Sequence, residues 1–343
     1  MNAAELLGGA SDHLGYFAKA AEAAKAPLAI TAAPLPGVLP PVLNGRYKLE
    51  GLLGAGGMGM VYRARDLLAE QHGEPEPMVA VKLLRDDVAE CPDGAALLYS
   101  EYALTRHLPH PGVVRVHGFE VDAASQQAFF SMQLLRGMPL DRLLCEQPLG
   151  LAWGELRGIA LGLLEVLAFA HGRGVLHGDI KPSNLILGEH GVQLFDFGLG
   201  QAMDGVLEGL AKLSRQRISA WTPAYAAPEL LDGAPLSPAS DLFAAACVIY
   251  ELAGGKQPFG RDGAQAMQAQ HAEQPLERPA NLPKNVWPAL RQALALEPAA
   301  RQPGARALHQ ALATPRVSLL RRWFGHPKGH LTDRESPHVQ PQQ

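Results

Sequence analysis

Short runs with alternating or β-branched apolar residues open the folded part of the chain. Tyr47 to Leu53, Met60 to Arg65 and Met78 to Leu84 each predict a strand, with a glycine-dense turn after the first and a polar, proline-containing loop before the third. Together they predict a small antiparallel sheet. Further along, helical spacing takes over: Leu156, Ile159, Ala160, Leu163, Leu167 and Ala170 fall on one face, and Gly172 follows as a natural stop. A larger, mainly helical lobe is expected there. Residues 1–26 are Ala-rich and predict a weak helix, whereas Pro27, Pro34, Pro36, Pro40 and Pro41 punctuate an extended connector before Asn44. Residues 1–45 thus read as an N-terminal extension, with packed sequence starting near Arg46. From about Pro315, Arg316, Arg321, Arg322 and Lys328 stand beside Leu319, Leu320, Trp323 and Phe324, ahead of a polar end. Residues 314–343 read as a basic and polar tail, solvated or docked on the chain itself rather than on a membrane.

Composition narrows the class. The 343 residues leave room for two folding units of ~150 residues each. With 47% hydrophobic and 19% charged residues, and only 36 Gly and 28 Pro, the chain is globular. A net charge of −4 provides no global cationic field for nucleic acid, so phosphate binding must come from local geometry. Cys91, Cys145 and Cys247 are widely spaced and form no C-x-x-C, which argues against a disulfide framework or structural zinc. Glu5 and Asp12 precede the first basic side chain, Lys19, so no secretory signal pattern is expected. The best apolar stretch, Leu242 to Tyr250, falls short of the ~18 residues that span a bilayer and reads as a core helix. The expectation is a cytoplasmic protein without a transmembrane segment.

Three passages carry chemistry. Gly54, Gly56 and Gly59 lie between two predicted strands, where a turn without side chains lets backbone N–H groups approach phosphates. Val61 and Tyr62 continue as a strand, which fits a glycine flap over a nucleotide better than a strand–turn–helix dinucleotide site. An ordinary flexible hairpin is the alternative at this point. Lys82 sits in a nearly continuous apolar strand; a lone lysine there defaults to facing solvent, but Glu101 lies on the apolar stripe of a predicted helix and needs a partner. Lys82 held by Glu101 would meet phosphates at a fixed position. In the third passage, Leu185 to Leu187 and Val192 to Phe195 flank a four-residue polar turn, so Leu187 should pair near Val192. Antiparallel counting then sets Asn184 opposite Phe195 and beside Asp196. An amide oxygen and a carboxylate at one hairpin end suit Mg²⁺ carrying phosphate oxygens. Asp179 and Lys181 precede the same hairpin, where one would accept a hydroxyl proton and the other would neutralise a transferring phosphoryl group. A solvated polar turn explains one such residue, not four in this register.

These residues resemble the eukaryotic-type protein kinase family, specifically its bacterial Ser/Thr members. The likeness covers about residues 46–313 and rests on G-A-G-G-M-G, V-A-V-K, Glu101, H-G-D-I-K-P-S-N, D-F-G and A-P-E in that order. It implies an α+β, bilobal protein-kinase-like fold: a small antiparallel β-sheet N-lobe with one main helix (46–132), a hinge (133–137) and a larger mainly helical C-lobe (138–313). It implies ATP and Mg²⁺, with Mn²⁺ as a substitute, and transfer to protein Ser or Thr. Gly54, Ala55, Gly56, Gly57, Met58 and Gly59 would cover the nucleotide, with Val61 and Ala80 beside it. Lys82 would touch its phosphates and pair with Glu101. Asp179 would be the base, with Lys181 beside it; Asn184 and Asp196 would hold the metal. Met132 would back the adenine pocket, and the backbone from Gln133 to Leu135 would contact adenine. Phe197 and Gly198 complete D-F-G. Thr222 would contact the catalytic loop, Glu229 would pair with Arg301, and Asp241 would brace the catalytic-loop backbone; a plain helix-terminal carboxylate is the alternative for Asp241. His177 is expected to orient that loop rather than move protons.

Two positions depart from the family pattern. Gly178 stands where an arginine usually precedes the catalytic aspartate, so a phosphorylated loop residue would lack its usual cation and activity should not require phosphorylation. Trp221 stands where glycine is more usual. Two rival readings use part of the pattern. Small-molecule phosphotransferases of related fold also carry H-G-D and a following Asn, but Lys181, D-F-G and A-P-E weigh against them. A pseudokinase acting as a binding module would lack one of Lys82, Glu101, Asp179, Asn184 or Asp196. Control is expected from a regulatory partner, a homodimer or the terminal extensions.

Overall fold

The computed structural model describes residues 41–56, 59–85, 93–210, 222–264, 276–301 and 304–314. Gly57, Met58, Cys91, Trp221, the weak helix expected within residues 1–26 and the basic stretch from Arg316 lie outside them. The first lobe is an antiparallel sheet in the order β1-β2-β3-β4-β6-β5, formed by β1 (Val42–Leu43), β2 (Tyr47–Ala55), β3 (Gly59–Asp66), β4 (Met78–Leu84), β5 (Val116–Val121) and β6 (Ala128–Gln133). Two helices join it: α1 (Leu67–Gln71), capped by the Asp66 carboxylate, and α2 (Gly94–Arg106). Strand periodicity explains the placement of Lys82. Alternate residues of β4 face opposite ways, so Val81 and Leu83 pack with Leu43, Tyr62 and Phe129 on one side. Ala80 and Leu84 pack with Leu98, Tyr102 and Phe130 on the other, and Lys82 shares that α2 side.

The sheet begins earlier than its sequence suggests. Leu43 is completely buried and Leu49 N–H donates to the Pro41 carbonyl at 3.0 Å, so packing reaches back to Pro41 instead of starting near Arg46. Asn44 and Gly45, at φ +47° and +66°, turn the chain into β2. Asn44 also closes the sheet on itself. Its N–H donates to Asp122 Oδ1 at 2.7 Å, its Nδ2 to the Val121 carbonyl at 3.2 Å, and its Oδ1 accepts from Ala123 N–H at 3.0 Å.

The second lobe contains α3 (Leu140–Glu146), α4 (Trp153–Gly172), α5 (Pro228–Leu231), α6 (Pro238–Gly254), α7 (Trp287–Ala293) and α8 (Ala305–Ala313). The α4 stripe is buried as its spacing predicts. The helix ends at Gly172, as expected; Arg173 N–H bonds the Phe169 and Ala170 carbonyls as the cap, and the chain turns left-handed at Gly174, φ +71°. In α6, a reciprocal Ser237–Ser240 capping box precedes a core of Leu242, Phe243, Val248 and Ile249. Short strands complete the lobe: β7 (Met138–Pro139), β9 (Leu185–Gly188) and β10 (Gly191–Leu194) form one sheet, β8 (Val175–Leu176) and β11 (Gln201–Ala202) another. Leu187 pairs with Val192 and Leu194 with Leu185, the register expected from counting. The turn is tighter than expected, since Gly188 also pairs with Gly191 and leaves only Glu189 and His190 outside the ladder. Leu194 links the lobes, accepting from Val114 N–H at 3.1 Å and donating to the Gly112 carbonyl at 2.8 Å.

Candidate active site

Lys82 arrives from β4 and Glu101 from α2, and they meet in the interior. Nζ lies 2.6 and 2.7 Å from the two Glu101 carboxylate oxygens and 2.7 Å from Asp196 Oδ1. The Lys82 and Glu101 side chains are 6% and 5% exposed, whereas Asp196 keeps 32% of its side chain open. Burial opposes the ammonium, but the Asp196 and Glu101 carboxylates hold its pKa above the ordinary value. Burial pushes Glu101 up to about 7, partly offset by Lys82. Burial also works against Asp196, and there Lys82 wins, holding the carboxyl below its ordinary range. Asp196 sits at φ +66°, in the left-handed region. Phe197 behind it is fully buried against the His177 ring, centroids 4.5 Å apart, and Gly198 lies in a turn closed by Gly200 N–H on the Phe197 carbonyl at 2.7 Å.

The catalytic loop hangs on Asp241. Its Oδ2 accepts from His177 N–H and its Oδ1 from Gly178 N–H, both at 2.8 Å, and His171 Nε2 lies 3.0 Å from Oδ2. Burial opposes its ionisation, but the His171 hydrogen bond and charge, with His177, hold its pKa low. Ser237 caps α6, so the helix end does not account for these contacts. His177 Nδ1 accepts from Asp179 N–H at 3.1 Å while Nε2 lies 3.1 Å from the Phe195 carbonyl, an arrangement that places its proton on Nε2. Gly178, at φ +82°, brings the loop against the next segment: a Cβ there would lie 2.6 Å from the Leu199 carbonyl oxygen.

Asp179 Oδ2 lies 2.7 Å from Lys181 Nζ and accepts from Asn184 Nδ2 at 3.2 Å. Asn184 Nδ2 also donates to the Asp179 carbonyl at 2.8 Å, which leaves the amide oxygen as its remaining donor atom for a metal. Burial raises the Asp179 pKa against the opposing charge of Lys181. Lys181 donates to Thr222 Oγ1 at 3.3 Å. Phe195 N–H donates to the Asn184 carbonyl at 3.2 Å, so Asn184 and Asp196 stand at one end of the hairpin. One amide oxygen and one carboxylate fit a hard divalent ion that takes its other ligands from water and phosphate.

An apolar cluster is packed largely in the same lobe as Lys82 and Glu101. Ala80, Met132, Leu135 and Ile186 are buried in one cluster, with Leu53 and Val61 packed against it. Leu53 and Ile186 escaped the sequence reading; their signal was position, one residue before Gly54 and two after Asn184. Gln133 is exposed and its N–H is taken by the Arg115 carbonyl at 2.8 Å, so that donor is not available to adenine. Of the described flap glycines, Gly54, Gly56 and Gly59, only Gly59 is dictated by packing: a Cβ there would lie 2.6 Å from the Leu83 carbonyl oxygen, while one at Gly54 meets nothing within 4 Å. Ala55 is exposed at the end of β2. A small pocket lined by Asp179, Thr222, Tyr225, Ala227 and Leu230 adjoins the catalytic loop. Behind it Arg301, 1% exposed, binds Glu229 at 2.6 and 2.9 Å and donates to the Ala295, Leu296 and Ala239 carbonyls.

The comparisons with known proteins point the same way. Residues 47–313 match the family described as protein kinase domain. Over 285 residues the chain is 33% identical to serine/threonine-protein kinase PknA of Mycobacterium tuberculosis, covering 80% of this chain and 62% of PknA. It is 33% identical to PkaA of Streptomyces coelicolor, over 79% of this chain and 50% of that one. It is 36% identical to the DNA damage-responsive kinase RqkA of Deinococcus radiodurans, over 72% and 35%. The crystal structure of the Mycobacterium tuberculosis PknI kinase domain is similar with a TM-score of 0.59 and 26% identity, over 80% of this chain and 98% of that one. Motifs, fold and relatives agree that the chain belongs to the protein kinase domain family.

Proposed function

We propose that the protein is a serine/threonine protein kinase that passes the γ-phosphoryl group of ATP directly to protein hydroxyls, itself included, in bacterial signalling. The observation that carries this reading is the meeting of Lys82, Glu101, Asp179, Lys181, Asn184 and Asp196 from separate segments. Adenine would lie against the apolar cluster of Leu53, Val61, Ala80, Met132, Leu135 and Ile186. Lys82 exchanges part of its grip on Asp196 for phosphate oxygens. A Mg²⁺ ion, when bound through Asn184 and Asp196, would neutralise charge on the phosphates. The acceptor oxygen attacks the γ-phosphorus in line as the bond to the β–γ bridging oxygen breaks; Asp179 takes the hydroxyl proton and ADP leaves. Lys181 steadies charge on the transferring group, and Thr222 keeps Lys181 in place.

The Glu229–Arg301 clasp and the Lys181–Thr222 contact favour a peptide acceptor over a small metabolite, because they support the segment that borders the acceptor side. None of the described helices is long and apolar enough to cross a membrane, and a cytoplasmic setting fits the reading. Radiolabelled γ-phosphate transfer with phosphosite mapping tests it: label should appear on Ser or Thr of the protein and of added substrates, and Asp179→Asn should remove it. Transfer only to small hydroxyl compounds would move the chain to the metabolite phosphotransferases, and Mg·ATP binding without transfer would make it a binding module.

A further inference from the structure

Five large apolar side chains are exposed among the described residues, and two of them flank one aromatic cluster on the back of the first lobe. Tyr99 on α2 and Val121 on β5 are each 48% exposed. Between them lies Phe119, whose ring is 5.2 Å from Tyr99 and 5.8 Å from Tyr102. Phe119 and Val121 are two apart on a strand and pair with Phe130 and Ala128 of the same core cluster, so both point to the α2 side. The patch is therefore continuous with the core that holds α2, and Tyr99 precedes Glu101 by two residues.

The chain itself supplies a covering within reach. Asn44 bonds the Val121 carbonyl, and the described chain starts at Pro41, three residues before Asn44 and within about 10 Å of it at the length of extended chain, so residues 1–40 are tethered there. In that segment Leu7, Ala10, Leu14, Phe17 and Ala21 recur at spacings of three and four, one apolar stripe if helical, with Glu5, Ser11, Asp12, Lys19 and Glu22 off it. We propose that residues 6–21 dock on the Tyr99–Phe119–Val121 face of their own chain and press α2 toward the sheet. The docked segment keeps Glu101 on Lys82, which deepens the kinase reading by making the N-terminal extension a positive regulator in cis.

The test is a photocrosslink on the full chain, with p-benzoylphenylalanine replacing Tyr99 and, in a second variant, Val121. The readout needs no catalysis, so its failure is distinct from failure of the kinase reading. Adducts within residues 6–21 at the mass of one chain are the expected result, and Leu14→Asp with Phe17→Asp should lower their yield about tenfold or more, as loss of buried Leu- and Phe-sized anchors would. Adducts at twice the chain mass would make the face a self-association surface. Adducts to residues 315–343, or none at either position, would likewise overturn the proposal.

Discussion

Two buried cations, Lys82 and Arg301, show how differently the two lobes use charge. Arg301 is saturated: its guanidinium faces both Glu229 oxygens and three carbonyls, and its CZ lies 4.6 Å over the Phe243 ring. Every acceptor is part of the scaffold. Lys82 instead faces two carboxylates for one ammonium, one of them pushed up to about 7 and the other partly open to the cleft. A planar fork with fixed partners locks a structure, whereas a point charge shared between competing partners can change partners. On the proposed reading, that imbalance would let Lys82 accept phosphate and release Asp196 to a metal.

Five experiments sharpen that contrast. The largest effect belongs to Asp179, which neither cation touches: Asp179→Asn should reduce turnover by ~10²–10⁴-fold in labelled-phosphate assays while nucleotide binding, followed by calorimetry, stays near wild type. The two cations should then separate by observable. Arg301→Met leaves Glu229, whose side chain is only 15% exposed, without its partner, empties a fully buried site, and should lower unfolding free energy by about 3 kcal/mol in denaturant titrations. Lys82→Met should cost ~10²-fold in turnover with a smaller loss of stability, since Glu101 can take up a proton. A melting loss as large as that of Arg301→Met would end the contrast.

Acid offers a subtler probe. The folded Asp241 carboxyl is held below its ordinary range, so its stabilisation is fully present above the unfolded value of ~3.9 and is lost as pH falls through the lower folded value. Asp241→Asn should therefore lose less stability than wild type between about pH 6 and about pH 3, although it is less stable throughout. The smallest effect is expected at Ser214 and Ser219, which lie outside the described residues. With Gly178 in place of an arginine, Ser214→Ala and Ser219→Ala should change turnover by no more than about twofold; abolished turnover would show that loop phosphorylation is required.

Much of this was legible because strand and helix periods are local. Pairing Leu187 with Val192 needed only the turn between them, and Glu101 stood out as a carboxylate on an apolar stripe. What stayed hidden depends on contacts across long stretches of chain. The Lys82–Asp196 contact spans 114 positions, and nothing in β4 or in the residues after β10 announces it. Asp241 was open to two readings because a carboxylate in a first helical turn is ordinary; only the N–H groups of His177 and Gly178, more than 60 residues away, decide what it holds. The start of the sheet was masked by its prolines, since Pro41 serves β1 through its carbonyl and needs no N–H. Gly172 does end its helix, but the left-handed turn that follows waits for Gly174.

Asp196 carries a further implication. A side chain at φ +66° costs about 1 kcal/mol or more that glycine would not incur, and its charge also burdens Glu101. The ion pair with Lys82 works the other way and holds the Asp196 carboxyl below its ordinary range, so backbone strain and side-chain attraction oppose each other at one residue. Asp196→Gly would relieve the first and forfeit the second.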